Sequence, residues 1–182
     1  YSGWGGLSDA FEPNKDSWHS EYTELKSLLT EEEYAAARSS TLTAFYTPPE
    51  VIDAMYTALR KMGVGAGTIL EPSMGVGAFF GQSHSYLYEP TTRLFGVELD
   101  SLTGRIARQL YQKANIQITG FEKADLPDSF FDVVIGNVPF GDYSVVDPQY
   151  NRLHFKIHDY FFAKSIDKLR TGGIIAFVTT SG

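Results

Sequence analysis

The chain has 182 residues, of which 43% are hydrophobic, and it carries a formal net charge of −7. This length and apolar content suffice for one domain with its own core. The acidic balance argues against a free-standing nucleic-acid binder, because phosphate contacts need Lys and Arg. Any basic surface must be local or supplied by another part of a larger protein.

Membrane insertion and disulfide bonds are not expected. There is no run of about 18 apolar residues, and the N-terminal stretch YSGWGGLSDAFEPN lacks the pattern of a signal peptide. The absence of cysteine excludes disulfides and thiolate metal sites and fits a cytoplasmic enzyme. Because the chain lacks an initiator Met and ends directly after a predicted strand, we expect it to be part of a longer protein.

Residues 1–45 are predicted to form a partly helical N-terminal extension. Its first 29 residues show no clear hydrophobic period, and Trp4 is either the anchor of an irregular segment or a docking aromatic. A helix is predicted directly after Thr30, because Thr30 and Glu33 form a capping box.

A second capping box is predicted at Thr47 and Glu50 in TPPE, with Pro48 at the first helical position. Apolar residues recur behind it at helical spacing. The helix is expected to end at the glycines 63, 65 and 67.

The rest of the chain alternates between apolar strands and helices. Strands are predicted at 68–72, 93–99, 116–119, 131–137 and 174–180, and helices at 101–114, capped by Asp100, and at 156–169, stopped by Gly172 and Gly173. This alternation indicates a parallel sheet covered on both faces. Residues 46–182 are therefore predicted to form an α/β domain with a doubly wound, Rossmann-like, mainly parallel sheet.

Ligands of such sheets bind outside the carboxyl ends of the strands. The first strand end is the Gly-rich loop EPSMGVG (71–77). Its glycines do not match the G-x-G-x-x-G of dinucleotide sites, and the carboxylate of Glu71 suits a ligand with an ammonium group rather than a pyrophosphate. An ordinary strand-to-helix turn is the alternative.

The next two strand ends carry Glu98 and Asp125. An acid at Glu98 can accept hydrogen bonds from both ribose hydroxyls of a nucleoside. Asp125 can accept a hydrogen bond from an exocyclic amine. The alternatives are a solvated acid at Glu98 and a turn-forming residue at Asp125.

The fourth strand end is IGNVPFGDY (135–143). The exocyclic nitrogen of adenine is a poor nucleophile, and two fixed acceptors on its hydrogens would direct its lone pair towards an electrophile. Asn137 offers its side-chain oxygen, and a carbonyl in the following peptide units is the second acceptor. Pro139 stiffens the loop, and Phe140 can stack on a base. Taken alone, this tetrapeptide is more often a tight turn.

Taken in this order, the four strand ends resemble the amino-group DNA methyltransferases that use S-adenosylmethionine. They are most similar to the N6-adenine enzymes, whose catalytic tetrapeptide is usually Asn-Pro-Pro-Tyr or Phe. FYTPPEV (45–51) resembles the segment that closes over the methionine part of the cofactor, and residues 159–182 resemble the later helix and strand. A weaker similarity, which includes GWGGL, is to methylase regions in large helicase-like proteins of mobile elements and phages.

The resemblance implies a role for each segment. The residues implied in binding S-adenosylmethionine are Tyr46, Thr47, Glu71, Pro72, Ser73, Gly75, Gly77, Glu98, Leu99, Asp125, Leu126, Asn137 and Pro139. Thr47 and Glu71 would hold the methionine carboxylate and ammonium, Glu98 the ribose, and Asp125 the adenine. The residues implied in catalysis are Asn137, Val138, Pro139 and Phe140. The Asn137 side chain and the Val138 carbonyl would polarise the amine of a base flipped out of DNA.

Two departures from the family pattern stand out. Val138 replaces the first proline, which keeps the carbonyl but is expected to make the loop less rigid. The sixth and seventh strands and a target-recognition domain are absent, so the sequence predicts a C-terminally truncated methyltransferase fold with DNA recognition largely elsewhere. No metal is expected, because His154 and His158 in HFKIH have no acid between them.

Other functions stay open at this point. The same chemistry could act on cytosine N4, on RNA or on a protein glutamine, or the fold could be a non-catalytic scaffold in a mobile-element protein. A nicotinamide oxidoreductase is disfavoured by the glycine spacing.

Overall fold

The computed structural model describes residues 3–41, 46–65, 67–86 and 91–179. Its centre is one parallel sheet with the strand order β3-β2-β1-β4-β5. The strands are β1 (Thr68–Glu71), β2 (Arg93–Glu98), β3 (Asn115–Ile118), β4 (Phe131–Asn137) and β5 (Leu169–Val178). The predicted α/β class with a doubly wound parallel sheet is confirmed, and the strand order reverses between β1 and β4.

The described ranges contain six α-helices. They are α1 (His19–Leu28), α2 (Glu31–Ser40), α3 (Pro49–Lys61), α4 (Ala78–Tyr86), α5 (Ser101–Leu110) and α6 (Ile157–Lys168). Successive residues of a strand point to opposite faces. Accordingly Ile69 and Val133 pack with α3 and α4, whereas Leu70 and Val134 pack with α6.

The N-terminal segment folds around a small aromatic cluster of its own. The capping box predicted at its second helix is confirmed, because the Glu33 amide donates to Thr30 Oγ1 at 3.2 Å and the Thr30 amide donates to the Glu33 carboxylate at 3.0 Å. Helix α1 was not predicted. None of its residues is fully buried, and Tyr22 and Leu25 pack only partly buried against the aromatic cluster. A domain boundary at residue 45 stays a prediction.

The start of α3 differs from the sequence-based prediction. Pro48 is the N-cap and Pro49 the first helical residue, and the capping box expected from Thr47 and Glu50 does not form among these described residues. The reason is steric: a residue that precedes a proline is disfavoured in the helical region. Pro48, which precedes Pro49, is extended (φ −56°, ψ 141°) and therefore lies outside the helix.

Two further boundaries were also predicted wrongly, whereas the cap at Asp100 is confirmed. Helix α5 ends at Leu110, not at residue 114, and α6 ends at Lys168. Gly172 and Gly173 do not stop a helix but lie within β5, which pairs with β4 through an irregularity: Phe131 is opposite Leu169, and Val133 is opposite Ile174. Residue 180 of the predicted last strand lies outside the described residues.

A single carboxylate joins three strands at the end of the sheet where β1 begins. Asp132 of β4 accepts hydrogen bonds from the Thr68 amide at 2.6 Å and the Thr68 hydroxyl at 2.8 Å, and it also pairs with Arg170 of β5. Partial burial alone would raise the pKa of Asp132, but these bonds hold it below the usual value.

Replacing Asp132 with Ala should lower the free energy of unfolding by about 2 kcal/mol at neutral pH, because it leaves a partly buried amide without its acceptor. The folded-state pKa is lowered, so this stabilisation is present above the unfolded pKa of about 3.9 and is lost as the pH falls through the folded pKa. Urea unfolding at pH 7 and pH 3 measures it. Asp142→Ala, at an exposed residue paired with Lys156, is the control, and equal losses in the two variants would contradict the prediction.

Candidate functional site

A cavity of about 300 Å³ lies at the carboxyl ends of β1, β2 and β4, where the strand order reverses. Most of the residues that the sequence singled out line it, namely Tyr46, Thr47, Glu71, Pro72, Ser73, Gly75, Glu98, Leu99, Asn137, Val138 and Pro139. Four others, Gly77, Asp125, Leu126 and Phe140, are not part of its described lining. The fold therefore brings the first, second and fourth strand ends together as predicted.

Glu71 is the most deeply buried acid of the cavity. Its side chain ends the central strand β1, it is only 2% exposed, and its Oε2 atom accepts no hydrogen bond from any described residue. Burial, reinforced by the neighbouring Glu98, raises the pKa of Glu71 well above its usual value. A buried carboxyl group with a free oxygen is complementary to a cation that enters the cavity.

Glu98 attaches the Gly-rich loop to β2. One carboxylate oxygen accepts a hydrogen bond from the Gly75 amide at 2.8 Å, and the other accepts one from the Asp100 amide at 2.7 Å. Burial raises the pKa of Glu98, and these two amides partly oppose the effect. Each carboxylate oxygen has a second lone pair, so Glu98 can accept hydroxyl groups of a ligand while it holds the loop.

Gly77 faces the protein interior. A Cβ atom at this residue would lie 2.5 Å from a ring carbon of Tyr111 and 3.2 Å from Met74, and the backbone φ is +85°. The Tyr111 hydroxyl donates to the Gly77 carbonyl at 2.7 Å. This close approach explains the glycine, while a contact of Gly77 with the cofactor stays a prediction.

The loop after β4 is fixed by its neighbours on both sides. The Ser73 hydroxyl donates to the backbone carbonyl of Asn137 at 2.8 Å, and the Val138 amide donates to the Val178 carbonyl of β5 at 3.3 Å. Proline has no amide hydrogen and could not make the second bond. Val138 is also buried, at 1% exposure. The expectation that valine makes this loop less rigid stays a prediction, and the hydrogen bond to β5 argues against it.

The acid that lines the cavity after β3 is Glu122, which the sequence analysis missed. Asp125 is exposed and holds the Gln117 side chain through its backbone amide and carbonyl, at 2.8 Å and 2.7 Å, and Leu126 is buried in the core. Both acids follow the same strand, and a short 3-10 helix turns Glu122 inward. No pattern in the sequence distinguished the two acids, although Gly120 lies close to the Glu122 carboxylate.

A buried ion pair beneath the cavity joins two of its walls. Lys164 of α6 pairs with Asp147 at 3.0 Å, with side chains 7% and 8% exposed, and also donates to the Glu122 carbonyl at 3.2 Å. The Tyr160 hydroxyl donates to Asp147 at 2.7 Å. Burial alone would raise the pKa of Asp147, but the bonds from Tyr160 and Lys164 lower it. The backbone of Glu122 is thus attached to the segment that follows the Asn137 loop.

The histidines do not form a helical pair. His154 precedes α6 and has a left-handed backbone (φ +51°), so it does not share a helix face with His158. Within the described ranges, no group of three or more His, Cys, Asp or Glu side chains is placed to hold a metal ion. In those same ranges no helix has the length and apolar character needed to cross a membrane.

The chain is similar in sequence to known proteins. The model of the N-6 DNA methylase family matches residues 28–182. The Defense against restriction protein B of Escherichia phage P1 is 30% identical over 139 residues, which are 74% of this chain and 6% of the relative. The chain therefore spans only a small part of that protein.

Two solved structures illustrate the similarity of fold. The type I restriction-modification methyltransferase subunit of Streptococcus thermophilus has a TM-score of 0.59 and 18% identity over 90% of this chain and 43% of that chain. A putative S-adenosylmethionine-dependent methyltransferase of Methanococcus maripaludis has a TM-score of 0.51 and 12% identity over 88% and 62% of the two chains.

The cavity fits S-adenosylmethionine, the cofactor of these methyltransferases. The cofactor carries a sulfonium and an ammonium group, and the cavity presents the buried, unpaired carboxyl oxygen of Glu71 with Glu98 beside it. The match of residues 28–182 leads to one conclusion: the chain belongs to the N-6 DNA methylase family.

Proposed function

We propose that this chain transfers a methyl group from S-adenosylmethionine to the N6 amine of an adenine flipped out of DNA. The observation that carries the proposal is the position of Asn137, which lines the same cavity as the two acids Glu71 and Glu98. From this position the side-chain oxygen of Asn137 can accept a hydrogen bond from the amine of a planar base that lies beside the cofactor.

The cofactor side of the cavity is acidic. In this proposal Glu71 accepts the ammonium group, Thr47 binds the methionine carboxylate, and Glu98 accepts the ribose hydroxyls. The adenine amine is held by an acid after β3, for which Asp125 was predicted and Glu122 lines the cavity. S-adenosylmethionine supplies an electrophilic methyl group on its sulfonium.

The acceptor side provides two oxygens for the two amine hydrogens. The side-chain oxygen of Asn137 is one, and the backbone carbonyl of Val138 is the other. The carbonyl of Asn137 accepts a hydrogen bond from the Ser73 hydroxyl, which holds the loop. The bond from the Val138 amide to β5 fixes this loop before substrate binds. Acceptors that are fixed in advance are the most effective in stabilising charge that develops on the amine. Phe140 stacks on the flipped base.

DNA is the proposed partner. With a net charge of −7 the chain has little capacity for phosphate contacts, so we propose that recognition elements outside it supply most of the affinity and the sequence specificity. Cytosine N4, RNA and protein glutamine offer the same planar amine or amide, and analysis of the methylated product distinguishes them.

Replacing Asn137 with Ala should reduce methyl transfer by at least 100-fold, because it removes one of two acceptors in the transition state, while the affinity for S-adenosylmethionine changes little. Mass spectrometry of nucleosides after incubation with methyl-labelled cofactor and DNA measures the transfer, and calorimetry measures the affinity. The matched control is Asn115→Ala, the same change at an exposed residue where β3 begins. Methylation of adenine by the Asn137→Ala chain at the normal rate would refute the assignment.

Replacing Glu71 with Gln should stabilise the free chain and weaken cofactor binding. The folded-state pKa of Glu71 is raised, so its contribution to stability is fully present below the unfolded pKa of about 4.3 and is lost as the pH rises through the folded pKa. At pH 8 the variant should be about 1–3 kcal/mol more stable than the wild type, with no difference at low pH. It should also bind S-adenosylmethionine about 10–100-fold more weakly.

Urea unfolding from pH 4 to pH 8 and calorimetry with S-adenosylmethionine measure these two effects. Glu50→Gln, at an exposed residue in the first turn of α3, is the control. A Glu71→Gln chain that is less stable at every pH, or that binds the cofactor normally, would contradict the role given to this carboxyl group.

The two acids after β3 can be distinguished by the effect of their replacement on cofactor binding. If the adenine amine is held inside the cavity, Glu122→Gln should weaken binding of S-adenosylmethionine by about tenfold, the loss of one hydrogen bond to a charged group. Asp125→Asn should then change it by less than about twofold. The reverse order of effects would restore Asp125 as the adenine ligand. Calorimetry on the two variants decides between them.

A further inference from the structure

Part of the cavity wall comes from the N-terminal segment and has no role in the chemistry described above. Trp4, the adjoining Gly3 and three small residues of α2, namely Ala36, Ser39 and Ser40, line the same cavity as Glu71 and Glu98. Small side chains on the helix leave space, and the indole is the large apolar group among them. This part of the lining therefore combines small side chains with one large aromatic ring.

This wall is held firmly in place. The indole of Trp4 packs edge to face on the buried ring of Phe11, with ring centroids 5.5 Å apart and an interplanar angle of 86°. Phe11 in turn contacts Tyr34 of α2 at a centroid distance of 5.2 Å. Because one side of the indole is supported by this cluster and the residue is only half-buried, its remaining surface borders the cavity.

Two polar contacts fix the position of the segment, one within it and one to the rest of the protein. The Gly6 amide donates to the Thr41 carbonyl at 3.1 Å, which ties the chain near Trp4 to the end of α2. Glu33 of α2 pairs with Arg105 of α5 at 2.9 Å. Helix α5 also carries Thr103, which lines the cavity next to Asp100. The segment and the strand-end loops are thus parts of one enclosure.

We infer that the N-terminal segment forms the outer wall of the cofactor site and that the indole of Trp4 contacts bound S-adenosylmethionine. An aromatic face attracts a cation, and a large ring in the lining excludes water from the cavity that contains Glu71 and Glu98, which strengthens the attraction between those acids and a cationic ligand. The inference rests on the cofactor and not on the acceptor. It would stand if the chain methylated RNA or protein in place of DNA.

The sequence provides a matched control, because it contains two tryptophans, Trp4 and Trp18. Both are half-buried and pack against the same N-terminal cluster, but only Trp4 lines the cavity in the described structure. A loss of cluster packing affects both variants, whereas a loss of cofactor contact affects only one. The two residues are also the principal fluorophores of the chain, so each can be observed in the absence of the other.

Calorimetry with S-adenosylmethionine should find binding about tenfold weaker in Trp4→Ala and within about twofold of the wild type in Trp18→Ala. Circular dichroism confirms that each variant is folded. Equal affinities of folded Trp4→Ala and wild type would overturn the inference, and so would equal losses in the two variants.

Fluorescence provides a second test that does not require the alanine variant to fold. Saturation with S-adenosylhomocysteine or S-adenosylmethionine should change the tryptophan emission of the wild type and of Trp18→Phe, in which Trp4 remains. The change should be absent in Trp4→Phe. A change that persists in Trp4→Phe and is lost in Trp18→Phe, or no change in a wild type that binds cofactor by calorimetry, would show that the indole is not in contact.

Discussion

The arrangement of the site depends on the burial of one carboxyl group. Glu71 lies at the end of the central strand, where β1 and β4 separate, with 2% of its surface exposed and one oxygen unpaired among the described residues. Ionising such a group inside a protein is costly unless a cation is present. The neighbouring Glu98 increases this cost. Among the described residues of the free protein this carboxyl oxygen has no partner. S-adenosylmethionine, which carries a sulfonium and an ammonium group, is suited to supply the missing cation.

The loops around Glu71 are joined to each other before any ligand arrives. Ser73 holds the carbonyl of Asn137, Glu98 holds the amide of Gly75, and Val138 is bonded to β5. These contacts connect the first, second and fourth strand ends directly. The third is held from below by Lys164. Little reorganisation is then needed when a cofactor or a base enters, which is the condition under which fixed dipoles accelerate a reaction most.

The sequence predicted the sheet and most of the residues that line the cavity, because both depend on local patterns. Apolar strands separated by helices specify the layers, and parallel strands bring their carboxyl ends to one edge wherever they occur along the chain. The box at Thr30 is equally local, since both of its hydrogen bonds span three residues.

The remaining features depend on contacts between segments that are distant in sequence. Whether Glu122 or Asp125 faces the cavity depends on one short turn and on the hydrogen bonds between the Asp125 backbone and Gln117. The position of Trp4 depends on its packing against Phe11 and on the docking of α2. Helix α1 contributes only partly buried side chains to the N-terminal cluster, so its helical period was weak in the sequence. The anchoring of Val138 requires the partner strand β5, which lies some 40 residues away.

Asp132, which stabilises the fold, lies far from the residues that are assigned to methyl transfer. Its carboxylate, which connects β1, β4 and β5, lies at the amino ends of the strands. The residues assigned to methyl transfer lie at the carboxyl ends. Effects of substitutions at distant sites without shared partners are nearly additive. Substitutions at the amino end of the sheet can therefore change the melting temperature of such a domain. The specificity for methyl donor and acceptor, which depends on the opposite end, can change independently.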